Sequence, residues 1–112
     1  MTYVDLINLN GSPIEAIIGM VNEKYPDSEL YLYGSRARGD AHEESDWDIL
    51  MLVNSVSLPF KKEQRIIDDF YEIELQTGQA VSPLIYTTPN WKNNYVHSPL
   101  YNNINREGIK IK

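Results

Sequence analysis

Apolar residues recur at helical spacing in two long segments of the chain. The first opens with Ser12-Pro13, a pair typical of a helix start, and its apolar residues then follow three or four positions apart. This helix should end before Pro26, because the residue before a proline avoids helical geometry. The second long helix is predicted over Phe60 to Thr77, and a shorter helix is predicted over Thr2 to Asn10.

Three other segments have the short apolar runs of β-strands. Strands are predicted over Glu29 to Tyr33, Asp46 to Val53 and Ala80 to Tyr86. The middle strand is continuously apolar after Asp48, as expected for a strand in the interior of a sheet. Thr88-Pro89 and Ser98-Pro99 each predict the start of a short helix. Alternating helices and strands over 112 residues predict a single α/β domain, residues 1–112.

The composition narrows the class of protein. The chain has no cysteine, and its sequence contains no run approaching the roughly 18 apolar residues that a membrane helix needs. The N-terminus lacks the basic and apolar regions of a signal peptide. We therefore expect a cytoplasmic protein with no membrane partner. The net charge of −6 disfavours broad binding to nucleic acid, which requires a basic surface.

The candidate chemistry lies around the turn between the first two strands. Asp46 and Asp48 are two residues apart on a strand, so their side chains should share one face, with Trp47 on the other. Two carboxylates at the end of a buried strand are costly unless a cation compensates them, and Mg²⁺ binds one or two carboxylates together with substrate phosphates. Upstream, Gly34 lets the backbone approach a ligand closely, and Ser35 offers a hydroxyl and an N–H to phosphate.

Two arginines follow this turn. An acidic protein that binds phosphate needs local cations, and Arg36 and Arg38 are suitably placed to supply them. Most arginines lie in solvated loops, and alternate residues of a turn face apart. The sequence therefore favours phosphate contact for one of the two without identifying which.

Two segments carry a family resemblance. Residues 34–39, GSRARG, followed by residues 45–48, SDWD, resemble the signature of the polymerase-beta-like nucleotidyltransferases. Among these, the chain resembles the minimal nucleotidyltransferases, small proteins often encoded beside a HEPN-type ribonuclease. The resemblance extends from Leu30 to the C-terminal Arg106-Glu107-Gly108-Ile109. It implies a small mixed β-sheet with helices packed on one side.

The resemblance also implies a reaction and a set of site residues. The reaction is transfer of a nucleoside monophosphate, AMP from ATP, to an acceptor, with Mg²⁺ or Mn²⁺ as the metal. A HEPN-type toxin protein is the acceptor that the family suggests. Asp46 and Asp48 are implied as metal ligands and catalytic residues, and the triphosphate is implied to bind Gly34, Ser35, Arg36 and Arg38.

The chain departs from the family pattern at one position. These enzymes generally carry a third carboxylate on a later strand, and the matching position here holds Ser82. Glu74, Asp40 and Glu44 are the acids considered as its replacement. The alternative function is therefore a catalytically impaired protein of this fold that acts as a partner-binding, antitoxin-like module. An aminoglycoside-modifying transferase is less well supported, because such enzymes carry additional structure for the drug.

Overall fold

The structure, a computed structural model, describes residues 12–112. The helix predicted over Thr2 to Asn10 lies outside these residues, whereas the helix predicted over Phe60 to Thr77 has those bounds. In the described part of the chain, no helix combines the length and the apolar character needed to cross a membrane. The elements in chain order are α1 (Ile14–Lys24), β1 (Ser28–Tyr33), α2 (Ser35–Arg38), β2 (Trp47–Val53), α3 (Phe60–Thr77), β3 (Val81–Thr87), α4 (Thr88–Asn94), α5 (Pro99–Glu107) and β4 (Ile109–Lys110).

The four strands form one mixed sheet in the order β3-β2-β1-β4. Strand β1 is antiparallel to both β2 and β4, and β2 is parallel to β3. The parallel pair is connected through α3, because parallel strands need a crossover rather than a hairpin. The end of β1 therefore meets the starts of β2 and β3 at one end of the sheet. The segments predicted to carry chemistry are brought together at this end.

Apolar side chains cover both faces of the sheet. The long helices α1 and α3 pack on one face through residues such as Ile17 and Phe70. On the opposite face, Leu50 and Leu52 of β2 pack against residues of α4 and α5. The predicted mixed α/β fold is confirmed, with one difference in detail: helices lie on both sides of the sheet. Strand β2 is apolar on both faces, so the second face also has to be covered.

The C-terminal residues return along β1. Strand β4 pairs with β1 through Leu32 and Ile109, and the Leu30 N–H donates a hydrogen bond to the Lys112 carbonyl oxygen at 3.1 Å. Because α5 ends at Glu107, immediately before this pairing, the end of α5 is held beside the end of β1. A segment far away in sequence therefore borders the turn that begins at Gly34.

Truncation of Phe70 should test the packing of α3. Phe70 is 1% exposed and its neighbour Tyr71 is 57% exposed, so Phe70→Ala leaves a cavity that Tyr71→Ala does not. We expect Phe70→Ala to lower the free energy of unfolding by about 3–5 kcal/mol, and Tyr71→Ala by less than about 1 kcal/mol. Urea unfolding of both variants measures the difference. Equal losses would contradict this orientation of the helix.

Candidate active site

The two aspartates lie at the start of β2, next to the start of β3. Asp48 is half-buried and Asp46 is exposed, while Trp47 between them is buried on the other face. In the parallel ladder, Asp48 is the partner of Ser82, whose hydroxyl donates a hydrogen bond to Oδ2 of Asp46 at 3.1 Å. The structure thus brings both aspartates together with Ser82.

The turn after β1 lies directly against one of these carboxylates. Tyr33, the last residue of β1, is the antiparallel partner of Asp48. Gly34 then adopts φ +76°, a conformation that favours glycine, and a Cβ atom on it would collide with Oδ2 of Asp48. Ser35 begins α2, a single helical turn. No residue larger than glycine would leave the Asp48 carboxylate in its place beside this turn.

The negative charge of the pair is only partly compensated. Burial and, after it, the charge of Asp46 raise the pKa of Asp48, whereas the charge of Arg38 lowers it. Burial, followed by the charge of Asp48, also raises the pKa of Tyr33 to about 12. Paired carboxylates that repel each other fit a divalent cation such as Mg²⁺, whose remaining ligands come from phosphate and water. The residues that would hold the ion are Asp46 and Asp48.

Among residues 12–112, no group of three or more acidic or histidine side chains is arranged to hold a metal. Ser82 lies beside the two aspartates and carries no charge. The carboxylate of Glu74 instead accepts the backbone N–H at the start of β3 at 3.0 Å, and that of Asp40 accepts a guanidinium N–H. None of the considered substitutes, Glu74, Asp40 or Glu44, completes a three-acid site in this part of the chain.

Arg36 is engaged in holding the loop before β2. Its Nε and Nη2 donate to the carbonyl oxygen of Ser45 at 3.2 and 2.9 Å, and Nη2 also donates to the carbonyl oxygen of Glu43 at 3.3 Å. Its guanidinium lies 4.5 Å from the centre of the Trp47 ring, a cation–π contact. These contacts fix the segment that leads into Asp46, so Arg36 is suited to positioning that aspartate.

Arg38 is the arginine whose charge acts on Asp48. Its Nε donates to Asp40 at 3.2 Å, and its Nη1 donates to both carboxylate oxygens of Glu107 at 3.2 and 3.4 Å. It is also the cation that lowers the pKa of Asp48. The choice between the two arginines, left open by the sequence, therefore falls on Arg38 as the candidate for phosphate contact.

Glu107 is the residue of this site that sequence reasoning missed. Its Oε1 accepts the backbone N–H of Gly34 at 3.3 Å as well as the bond from Arg38. The two partners in the first bond are 73 positions apart in sequence, so no local pattern connects them. The one sequence feature that could have indicated Glu107 is the family resemblance of residues 106–109, which include it.

The model of the nucleotidyltransferase domain family matches residues 14–106, most of the chain. The chain belongs to this family. A protein of Methanocaldococcus jannaschii named "Putative protein adenylyltransferase" is 44% identical over 57 residues, which are 51% of this chain and 57% of that relative. The chain thus matches little more than half the length of this curated relative.

Two solved structures share the fold of this nucleotidyltransferase. One is a crystal structure of a toxin–antitoxin with AMP-PNP, with a TM-score of 0.62 and 18% identity, covering 93% of this chain and 73% of the other. The second is the structure of a "putative minimal nucleotidyltransferase", with a TM-score of 0.57 and 22% identity, covering 97% of this chain and 95% of the other. The fold class predicted from the sequence and the resemblance to minimal nucleotidyltransferases are both confirmed.

Asp48→Asn should raise the melting temperature of the metal-free protein by a few degrees at pH 7. A raised pKa in the folded state means that stability falls as pH rises through that pKa, and the amide removes this loss. The difference in melting temperature between Asp48→Asn and the wild type should therefore shrink as the pH falls toward the ordinary carboxyl pKa of 3.8. Thermal unfolding in a chelator, with Asp68→Asn on the exposed side of α3 as the control, measures it. A lower melting temperature for Asp48→Asn at pH 7 would contradict the electrostatic account.

Proposed function

We propose that this nucleotidyltransferase moves AMP from ATP to a partner protein. The observation that carries the proposal is the contact between Gly34 and the Asp48 carboxylate, since a close approach of backbone to a metal-binding acid lets one triphosphate touch both. Family membership supports the reaction class. The choice of AMP and of a protein acceptor is supported by the name of the archaeal relative and by the AMP-PNP in the toxin–antitoxin structure.

Each residue of the site has a proposed role. Ser35 and Arg38 bind phosphate oxygens, Gly34 allows the close approach, and Asp46 and Asp48 hold the divalent ion. When bound, Mg²⁺ or Mn²⁺ neutralises triphosphate charge and favours loss of a proton from the attacking hydroxyl. The acceptor oxygen bonds to the α-phosphorus as pyrophosphate leaves. Catalysis of this kind depends mainly on positioning and charge neutralisation, so few protein groups are needed.

The proposed acceptor is a toxin protein of the HEPN type. The toxin–antitoxin neighbour and the family resemblance support this choice of partner class. The net charge of −6 would complement a basic partner surface. The described helices and strands all belong to one sheet and the helices packed on it. A large partner protein that supplies its own binding surface for this domain therefore suits the chain.

Binding of Mg-ATP should stabilise the protein through the two aspartates. A ligand at about 100 times its Kd adds about 2.7 kcal/mol to folding stability, which raises the melting temperature by several degrees in a domain of this size. The rise should require both Mg²⁺ and ATP and should be absent in Asp46→Asn/Asp48→Asn. Thermal unfolding with Mg²⁺ alone and with ATP in a chelator provides the controls. No shift of the wild type at millimolar Mg-ATP would contradict the proposal.

A second candidate function is partner binding without transfer. The observation that favours it is Ser82, since a hydroxyl neither carries the charge of a third metal ligand nor accepts a proton at neutral pH. In this case the protein would bind nucleotide or metal weakly and act on its partner by contact alone.

Ser82→Asp should distinguish the two candidates. A carboxylate opposite Asp48 adds a metal ligand and a proton acceptor, and general-base groups typically contribute about 10²–10⁴-fold in rate. We expect Ser82→Asp to hydrolyse Mg-ATP to AMP and pyrophosphate, with water as the attacking group, at least about tenfold faster than the wild type. Ser82→Asn, which adds similar bulk without charge, is the matched control. Equal rates for the Asp and Asn variants would favour the partner-binding function.

A further inference from the structure

We propose that Glu107 is a positioning residue of the phosphate-binding turn, which holds Arg38 and Gly34 in the geometry that receives a triphosphate. This inference rests on the proposed function and adds to it a residue from the far end of the chain. Glu107 lies at the last position of α5, and its carboxylate contacts both residues.

The carboxylate of Glu107 accepts hydrogen bonds from the backbone of Gly34 and from the side chain of Arg38. Its Oε1 accepts one bond from the Gly34 backbone N–H at 3.3 Å and another from Arg38 Nη1 at 3.2 Å. The side chain is only 17% exposed, unlike the partners of the surface pair Lys110–Glu29, which are 55% and 41% exposed. The Arg38 side chain is 46% exposed, so the ion pair itself opens to solvent, whereas the bond from the Gly34 N–H is partly buried. The sheltered carboxylate can therefore hold Arg38 from one side while the guanidinium stays accessible to a ligand.

The backbone around Glu107 is itself constrained. Gly108 follows it, and a Cβ atom on Gly108 would collide with the Ile104 carbonyl oxygen, so the turn from α5 into β4 is tight. Immediately afterwards, Ile109 pairs with Leu32 of β1. The backbone that carries Glu107 is therefore held in one position relative to the Gly34 turn.

The contacts of Arg38 leave one side of its guanidinium available. Nε is bound by Asp40 and Nη1 by Glu107, while Nη2 has no acceptor among residues 12–112. A guanidinium held on two of its nitrogens keeps one orientation, and the third nitrogen can then donate to a phosphate oxygen. Less side-chain freedom is lost on binding when the group is already ordered.

Charge alone predicts the opposite effect. A carboxylate beside a phosphate site repels the phosphate, so a Glu107 that merely competed for Arg38 would weaken binding and its removal would strengthen it. The positioning role predicts that removal weakens binding. The sign of the change in Kd therefore separates the two roles.

The test measures Kd for Mg-ATP and for magnesium tripolyphosphate, which lacks the nucleoside. Glu107→Ala should weaken both by about tenfold, the lower end of the loss typical when a residue that orients a ligand-binding group is removed. Glu107→Gln, which keeps an acceptor for Gly34 and Arg38, should recover most of the affinity. Glu29→Gln is the matched control, because it breaks a carboxylate pair with Lys110 at the other end of β1 and should leave both Kd values unchanged.

A double-mutant cycle shows whether Glu107 acts through Arg38. If it does, Glu107→Ala should weaken binding in the wild type but have little further effect on Arg38→Ala. A general loss of structure would instead weaken binding equally in both backgrounds and would overturn the proposal. Unchanged or tighter binding by Glu107→Ala would also overturn it, while the proposed function would stand. If wild type binds neither Mg-ATP nor tripolyphosphate, the proposed function itself fails.

Discussion

The site depends on the antiparallel register between β1 and β2. This register places Tyr33 opposite Asp48, so that the chain leaving β1 must turn directly against a carboxylate. Only glycine fits that turn. A shift of the register by one residue would move the Asp48 side chain to the face covered by the long helices, where its charge would be buried in the core.

The same geometry has an electrostatic cost in the metal-free protein. Asp48 is kept close to Asp46 and is partly buried, and both conditions disfavour its charged form. The two arginines that precede this pair in sequence also bind other groups. Arg36 bonds the loop before β2, and Arg38 bonds Asp40 and Glu107. Uncompensated charge of this kind is common at functional sites, because a ligand that brings positive charge is then bound more tightly.

Much of this arrangement could be predicted from local patterns. The period-two spacing of Asp46 and Asp48 and the helical period of residues 60–77 correspond to what the structure contains. The packing of α4 and α5 on the second face of the sheet was missed. These helices are too short for the spacing of their apolar residues to show which face they cover. The distinction between Arg36 and Arg38 depends on the path of the loop after α2, and Glu107 reaches the site only through the pairing of β4 with β1. Such long-range contacts leave no local signature in the sequence.

The destination of the acceptor's proton is the chemical question that Ser82 raises. The hydroxyl of Ser82 donates a hydrogen bond to Asp46, but it cannot take a proton itself at neutral pH. Among residues 12–112, Asp46 and Asp48 are the carboxylates beside Ser82, and both are also the proposed metal ligands. A protein acceptor can resolve this conflict, because it can present its own base beside the attacking hydroxyl. A two-carboxylate site would then be inactive toward water and active only when the right partner is docked.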